Sequence, residues 1–187
     1  MTNSTLTGNT GNASSAGGAI YFGGSTSGTG VTLNNCTVFG NSVGQGGGIY
    51  RNSTLPMKLE ICIISGNTAT TKPDISSTGA VLANFNAIGN ATGFTLASGS
   101  GNNLAYGINL QLGTLGYYGG TTRTIPLLTG SPATNAGTNP LSLTNDQRGV
   151  PFTRTNGIVD IGAYEVQSSF TVDNTGDIID GSLHCWQ

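Results

Sequence analysis

Four charged residues late in the chain could do chemistry together: Asp146, Arg148, Asp160 and Glu165. A pair of carboxylates facing one cleft can hydrolyse a glycosidic bond, one as acid and the other as base or nucleophile. Acids that hold Ca²⁺ beside an arginine or lysine base suit elimination from a polysaccharide instead. Asp160 and Glu165 are the candidate Ca²⁺ ligands, and no other cofactor is expected. The same residues also have a purely structural use, in which Arg148 bridges Asp160 or Asp146 and pins the end of the chain. That use is the favoured one.

Little else in the chain has the composition of a reactive site. Up to residue 103 the acids are Glu60 and Asp74, too far apart in the repeat to form an obvious pair. The single histidine, His184, stands in a terminal stretch. There is no histidine-glutamate zinc signature and no nucleophile elbow, and the glycines lack the Lys-Ser/Thr that completes a phosphate loop. The six basic residues are scattered and the net charge is −2, so nothing tracks a nucleic-acid backbone. No apolar run approaches a membrane span, and the N-terminus has neither the charged start nor the apolar core of a signal peptide.

The elements that must position these residues are short strands. The chain has 187 residues with 31 glycines, only 7% charged residues, and abundant threonine, valine and isoleucine. Many strands separated by tight turns account for that mixture. One phrase recurs four times, a strand-like run closing on Gly-Asn, with the asparagines at 9, 41, 67 and 90. Their spacings of 32, 26 and 23 residues are those of a solenoid whose units stack. A second phrase, Gly17-Gly18-Ala19-Ile20-Tyr21, returns as Gly46-Gly47-Gly48-Ile49-Tyr50.

Alignment on the asparagines, with alternate residues on opposite strand faces, predicts two inward columns. One holds Leu6, Val38, Ile64 and Ala87, and the other Ser4, Cys36, Cys62 and Phe85. The column between them, Thr5, Thr37, Ile63 and Asn86, is expected to face outward. Val31-Thr32-Leu33 and Met57-Lys58-Leu59 occupy matching places in a further strand, and Ile20 with Ile49 and Tyr21 with Tyr50 form a third set. The expected fold is all-β: a parallel β-helix of about four coils rising about 4.8 Å each, with an irregular C-terminal tail. Asn9, Asn41, Asn67 and Asn90 are expected to form a ladder at its corners, each amide bonding its own bend and the next asparagine. Cys36 and Cys62 share a column close enough for a disulfide, although buried free thiols are preferred there, and Cys185 has no partner in the pattern.

After about residue 104 the repeats stop. The tail reads Tyr118-Gly119-Gly120-Thr121-Thr122-Arg123-Thr124, then Leu127-Leu128-Thr129-Gly130-Ser131-Pro132-Ala133-Thr134-Asn135-Ala136-Gly137, then Asp146-Gln147-Arg148-Gly149 and Val159-Asp160-Ile161-Gly162-Ala163-Tyr164-Glu165. It resembles the C-terminal part of the right-handed β-helix proteins called choice-of-anchor Q domain proteins, whose motifs fall in this order, and the resemblance implies that the expected parallel β-helix is right-handed and pectate-lyase-like. The Gly-Asn and Gly-Gly-Ala-Ile phrases also resemble repeats of polymorphic outer-membrane proteins, which are adhesins. Ile125 stands where the family pattern has histidine and Asn135 where it has aspartate, which subtracts two polar site residues. The resemblance implies a secreted or cell-surface protein without implying a reaction. Residues 170–183 resemble the opening of another such module.

Three regions follow: repeat coils over 1–103, a tail over 104–166 that packs on or completes them, and a linker or truncated module start over 167–187. Met1 opens directly on a repeat, so the chain is expected to be a piece of a longer protein. The leading function is a structural or adhesive segment whose uncovered ends pair with further modules or with other copies. A hydrolase or lyase using the tail carboxylates is the alternative. A glycan- or ligand-binding module, presenting outward threonine, serine and asparagine to sugars, is the third.

Overall fold

The computed structural model describes residues 1–24 and 27–167. Within them the chain is all-β, with eleven short strands and no helix. No helix of the described residues is long and apolar enough to cross a membrane. The strands run β1 Thr2–Thr7, β2 Ile20–Gly23, β3 Val31–Phe39, β4 Ser42–Gln45, β5 Ile49–Asn52, β6 Met57–Glu60, β7 Ile63–Ser65, β8 Thr68–Thr71, β9 Ile75–Ser77, β10 Val81–Asn84 and β11 Ala87–Ile88. Every strand-to-strand pairing is parallel, in a six-stranded, a three-stranded and a two-stranded sheet. Parallel strands need a long connection between partners, which the repeat spacing supplies.

Register reproduces two of the expected sets residue for residue. Ile20 pairs with Ile49 and Tyr21 with Tyr50, and the set extends to Ile75 and Ser76. Val31 pairs with Met57 and Leu33 with Leu59, and these continue to Val81 and Ala83. Ile49, Ile75, Leu33, Met57, Leu59, Val81 and Ala83, together with Val38, Ile64 and Ile88, belong to one continuous core whose buried members are at most 2% exposed, with Ile20 and Val31 packed against it. Cys36 and Cys62 lie within it as free thiols.

The fourth copy of the phrase is displaced by one residue. Ala87 pairs with Ile63 and Ile88 with Ile64, so the inward column is Leu6, Val38, Ile64 and Ile88, with Ala87 on the opposite face. Because side chains alternate along a strand, a shift of one reverses every assignment in that copy. Asn86 therefore follows Cys62 in the inward column and Phe85 falls outside it. The glycines agree: Gly8, Gly40 and Gly66 have φ of 71°, 69° and 66°, whereas Gly89 does not adopt the left-handed region.

One residue before the Cys36 position the chain bends through the left-handed region in each repeat, at Asn3, Asn35, Ile61, Phe85 and Asn102, with φ between 45° and 55°. Asparagine tolerates that conformation, while an isoleucine there is strained. The backbone around Ile61 is held from two directions. Its N–H donates to Asn84 O at 3.0 Å, and its carbonyl accepts from Gly162 N at 3.0 Å.

The second donor belongs to the tail, which covers the wall that was expected to face outward. Thr37 and Ile63 are each 1% exposed. Ile61, Ile63 and Ala87 form a second core with Leu110, Leu127, Ala133, Val159 and Ile161. Full burial of such an aliphatic side chain is worth about 1.5–3 kcal/mol, so the tail is bound by a core of its own. Gly162 lets it come close: a Cβ there would lie 2.8 Å from Ile63 Cδ1 and 3.0 Å from Thr37 Oγ1. Residues 168–187, including His184, Cys185 and all but the first residue of the expected linker, lie outside the described residues.

Candidate functional site

The three tail motifs converge at one place although up to thirty residues of chain separate them. Asp146 and Arg148 belong to a turn closed by Gly149 N donating to Asp146 O at 3.1 Å. Val159 to Glu165 runs beside it, with Gln147 N donating to Ala163 O at 3.1 Å, and Ile161 N reaches Ala133 O at 2.9 Å. All four predicted residues are buried: Asp146 is 3% exposed, Arg148 6%, Asp160 1% and Glu165 1%.

Arg148 grips Asp146 with two nitrogens, Nη2 at 2.6 Å and Nε at 2.9 Å from Oδ2. Its guanidinium lies between two aromatic rings, 4.0 Å from the centroid of Phe152 and 3.8 Å from that of Tyr164. Its remaining donors go to Tyr118 O and Glu165 O. Asp146 also accepts from Arg148 N at 2.7 Å and Glu165 N at 2.8 Å. A buried ion pair needs its spare lone pairs and protons occupied, and here they are.

Asp160 is held by main chain alone. Asn135 N donates to Oδ1 at 2.7 Å and Val166 N to Oδ2 at 2.6 Å. Burial nevertheless pushes its carboxyl up, and those two bonds and Arg154 only partly offset this. Glu165 accepts through Oε2 from Asp160 N at 3.0 Å and from Arg154 Nη1 at 3.3 Å. Burial raises Glu165 from 4.5 to about 7, with the Asp160 charge acting in the same direction. Arg154, wholly buried, also donates to Gly162 O at 2.8 Å and Asn3 Oδ1 at 3.1 Å, tying the tail to β1.

Each carboxylate thus faces a guanidinium or backbone N–H groups. As candidate acid and base, the three do not share an open cleft: the shallow hollow beside Asp160 is lined by Thr134, Asn135, Asn156, Val166 and Gln167 and includes neither Asp146 nor Glu165. No cluster of three or more histidine, cysteine, aspartate or glutamate residues that could hold a metal ion occurs among the described residues. Arg154 was missed in the sequence reading, as were the flanking rings Phe152 and Tyr164. A signal was present, since a tail with three acids needs more than one arginine to be buried.

The asparagines build a different object. Asn9 donates to Asn41 Oδ1 through N at 3.1 Å and Nδ2 at 2.7 Å, and Asn41 donates likewise to Asn67 Oδ1 at 3.1 and 2.9 Å. The second amide protons bond the chain behind, Asn41 to Leu6 O and Asn67 to Val38 O, each at 3.0 Å. The next rung is Asp74: Asn67 N and Nδ2 reach its Oδ1 at 3.2 and 2.8 Å. Asn90 is not a rung. Its Oδ1 accepts from Thr92 N at 2.8 Å and Thr92 Oγ1 at 2.6 Å, closing a local turn, because the register shift carries it off the column.

The same shift starts a second ladder that the repeated phrase does not announce. Cys62 N donates to Asn86 Oδ1 at 2.9 Å, and Asn86 N and Nδ2 donate to Asn103 Oδ1 at 2.9 and 3.0 Å. On the outer face of another sheet, Tyr21 and Tyr50 stack with centroids 5.3 Å apart and planes 14° from parallel.

Compared with protein-family models, curated proteins and solved structures, the chain has no significant match.

Proposed function

We propose that this chain is a parallel β-helix segment of a secreted or cell-surface protein, with a structural or adhesive role, related to the choice-of-anchor Q domain proteins. Three strand columns in parallel register, two polar ladders running across repeats and a tail that seals one wall support the solenoid reading. The observation that carries the role is the state of the tail carboxylates. Asp146, Asp160 and Glu165 are each held by guanidinium or backbone donors inside the protein. Groups so arranged stabilise a fold, whereas a general acid and base need a reachable substrate position between them.

Attachment is proposed through the first repeat. β1 is hydrogen-bonded to β3 on one side, with no strand of the described residues on the other. Asn9 Oδ1, the acceptor end of the ladder, takes no hydrogen bond among the described residues. An open parallel edge ending in a free amide acceptor suits another repeat, from the same protein or a second copy.

The test is a panel of polysaccharides and esters assayed with the purified chain, alongside surface labelling of the cells that make it. Absence of turnover with surface exposure is expected. Turnover that disappears on Asp160→Asn, in a variant shown to be folded, overturns the structural reading in favour of a hydrolase or lyase.

A further inference from the structure

Arg51 is a buried cation with no acid beside it. It stands on β5 two residues after the core Ile49, on the same strand face, and is only 4% exposed. Its register partners are Phe22 on one side and Ser77 on the other. Nε donates to Ser53 O at 3.2 Å, and Nη1 donates to Ala80 O at 3.0 Å and to Ser77 Oγ at 3.4 Å. These are neutral acceptors, and among the described residues no carboxylate pairs with the guanidinium. The other two buried arginines, Arg148 and Arg154, each face an acid. An ion withdrawn from water without a counter-ion is costly, and burial lowers the Arg51 pKa accordingly.

Nη2 remains. It has no hydrogen-bond partner among the described residues and packs over Gly79, where a Cβ would come within 2.6 Å of it. The guanidinium lines a concavity of about 540 Å³, together with Gly24, Asn52, Ser53, Thr54, Thr78 and Gly79. Asn52, Thr54 and Thr78 are exposed, and they ring the cationic floor with amide and hydroxyl groups.

We propose that this concavity is an anion-binding site that takes the carboxylate of an acidic sugar, with Arg51 Nη2 meeting the carboxylate and the rim side chains meeting its hydroxyls. A guanidinium with spare donors matches a carboxylate in shape and charge. The rim decides the rest of the ligand: its amide and hydroxyl groups offer hydrogen bonds around the anion, and no aromatic or large aliphatic residue among the described residues lines it. The site is separate from the tail carboxylates, and binding by the purified chain does not depend on where the protein resides.

The experiment follows the Arg51 Nε–H and the backbone amides of residues 52–54 and 77–79 by NMR during titration with galacturonate, galactose, acetate and sulfate. Galacturonate is expected to shift them saturably in the millimolar range, galactose to leave them unmoved, and acetate and sulfate to bind more weakly. Asn52→Asp places a charge on the exposed rim without touching the core and is expected to weaken galacturonate about threefold or more, while Arg51→Lys, which loses the fork, weakens it about tenfold. Shifts that are absent with every anion, or equal for galactose and galacturonate, overturn the site. Acetate or sulfate binding as tightly as galacturonate overturns the sugar assignment. Affinity unchanged in Asn52→Asp overturns the location even if Arg51→Lys does not fold.

Discussion

Arg148 and Asp146 meet in a buried, two-pronged ion pair, Nη2 to Oδ2 at 2.6 Å, with side chains 2% and 0% exposed. The turn that carries both residues also binds Glu165 N and Ala163 O, so the pair ties the middle of the tail to its last described stretch. Removing either partner leaves a charge with no compensation in a dry site. Asp146→Ala is expected to cost about 3–5 kcal/mol. Arg148→Lys, which keeps the charge but loses the fork and the stacking on Phe152 and Tyr164, is expected to cost less than Asp146→Ala. Urea unfolding of the two variants checks both the size and the order.

Stability should fall as pH rises through neutrality. The charged groups facing the Glu165 carboxyl are Arg154 and Asp160, and burial lifts its pKa from 4.5 to about 7. An acid whose folded pKa is raised binds its proton more tightly in the folded state, so the contribution is complete below the unfolded value and lost as pH climbs to about 7. Across that interval the loss is about 3 kcal/mol at most. Asp160 and Asp74 are shifted in the same direction by burial. Thermal unfolding should therefore occur at higher temperature near pH 5 than near pH 8, and Glu165→Gln should reduce the difference. A melting temperature that rises with pH over this range contradicts the assignment.

The two asparagines that look alike in the repeat should behave differently. Asn67→Ala removes the acceptor of Asn41 N and Nδ2 and the side-chain donor to Asp74, which keeps the backbone N–H of residue 67, and a buried polar group left unpaired costs about 1–3 kcal/mol. Asn90→Ala removes only a turn contact to Thr92, and is expected to cost about 1 kcal/mol or less. Parallel denaturation curves of the two variants separate these outcomes, and equal losses would show that Asn90 is a rung after all.

The tail should unfold or detach when its contact with the wall is hollowed. Ile161 is fully buried in the cluster with Ile61 and Ile63, and Ile161→Ala is expected to cost about 2–5 kcal/mol. Hydrogen exchange should then speed up at Gly162, whose N–H is bonded to Ile61 O, and at Ala163, bonded to Thr37 Oγ1. Exchange unchanged at those two amides would mean that the tail is held by the ion pairs and not by this core.

Much of the architecture could be read from the chain because parallel strands paired in register set like residues side by side. Ile20 over Ile49 and Leu33 over Leu59 were visible as matching residues, and in-register parallel pairing requires such matching. The candidate tail residues were legible as a group since acids are scarce in this sequence. The fourth repeat was misaligned for an equally physical reason. Gly89-Asn90 copies the letters of Gly66-Asn67, but the strand before it is set by the preceding bend at Phe85, which starts the repeat one residue out of step.

The sequence by itself determined that the chain is a succession of short β-strands with recurring core columns, since alternation, glycine-bearing corners and repeat spacing are local properties. Only the tertiary structure decided that Thr37 and Ile63 lie under the tail, that Asp74 ends the asparagine ladder, and that Arg154 answers Glu165. Those outcomes depend on which segments meet after the chain turns back on its own wall. Burial, and with it the character of every charged group in the tail, is fixed by that meeting and not by the order of residues along the strand.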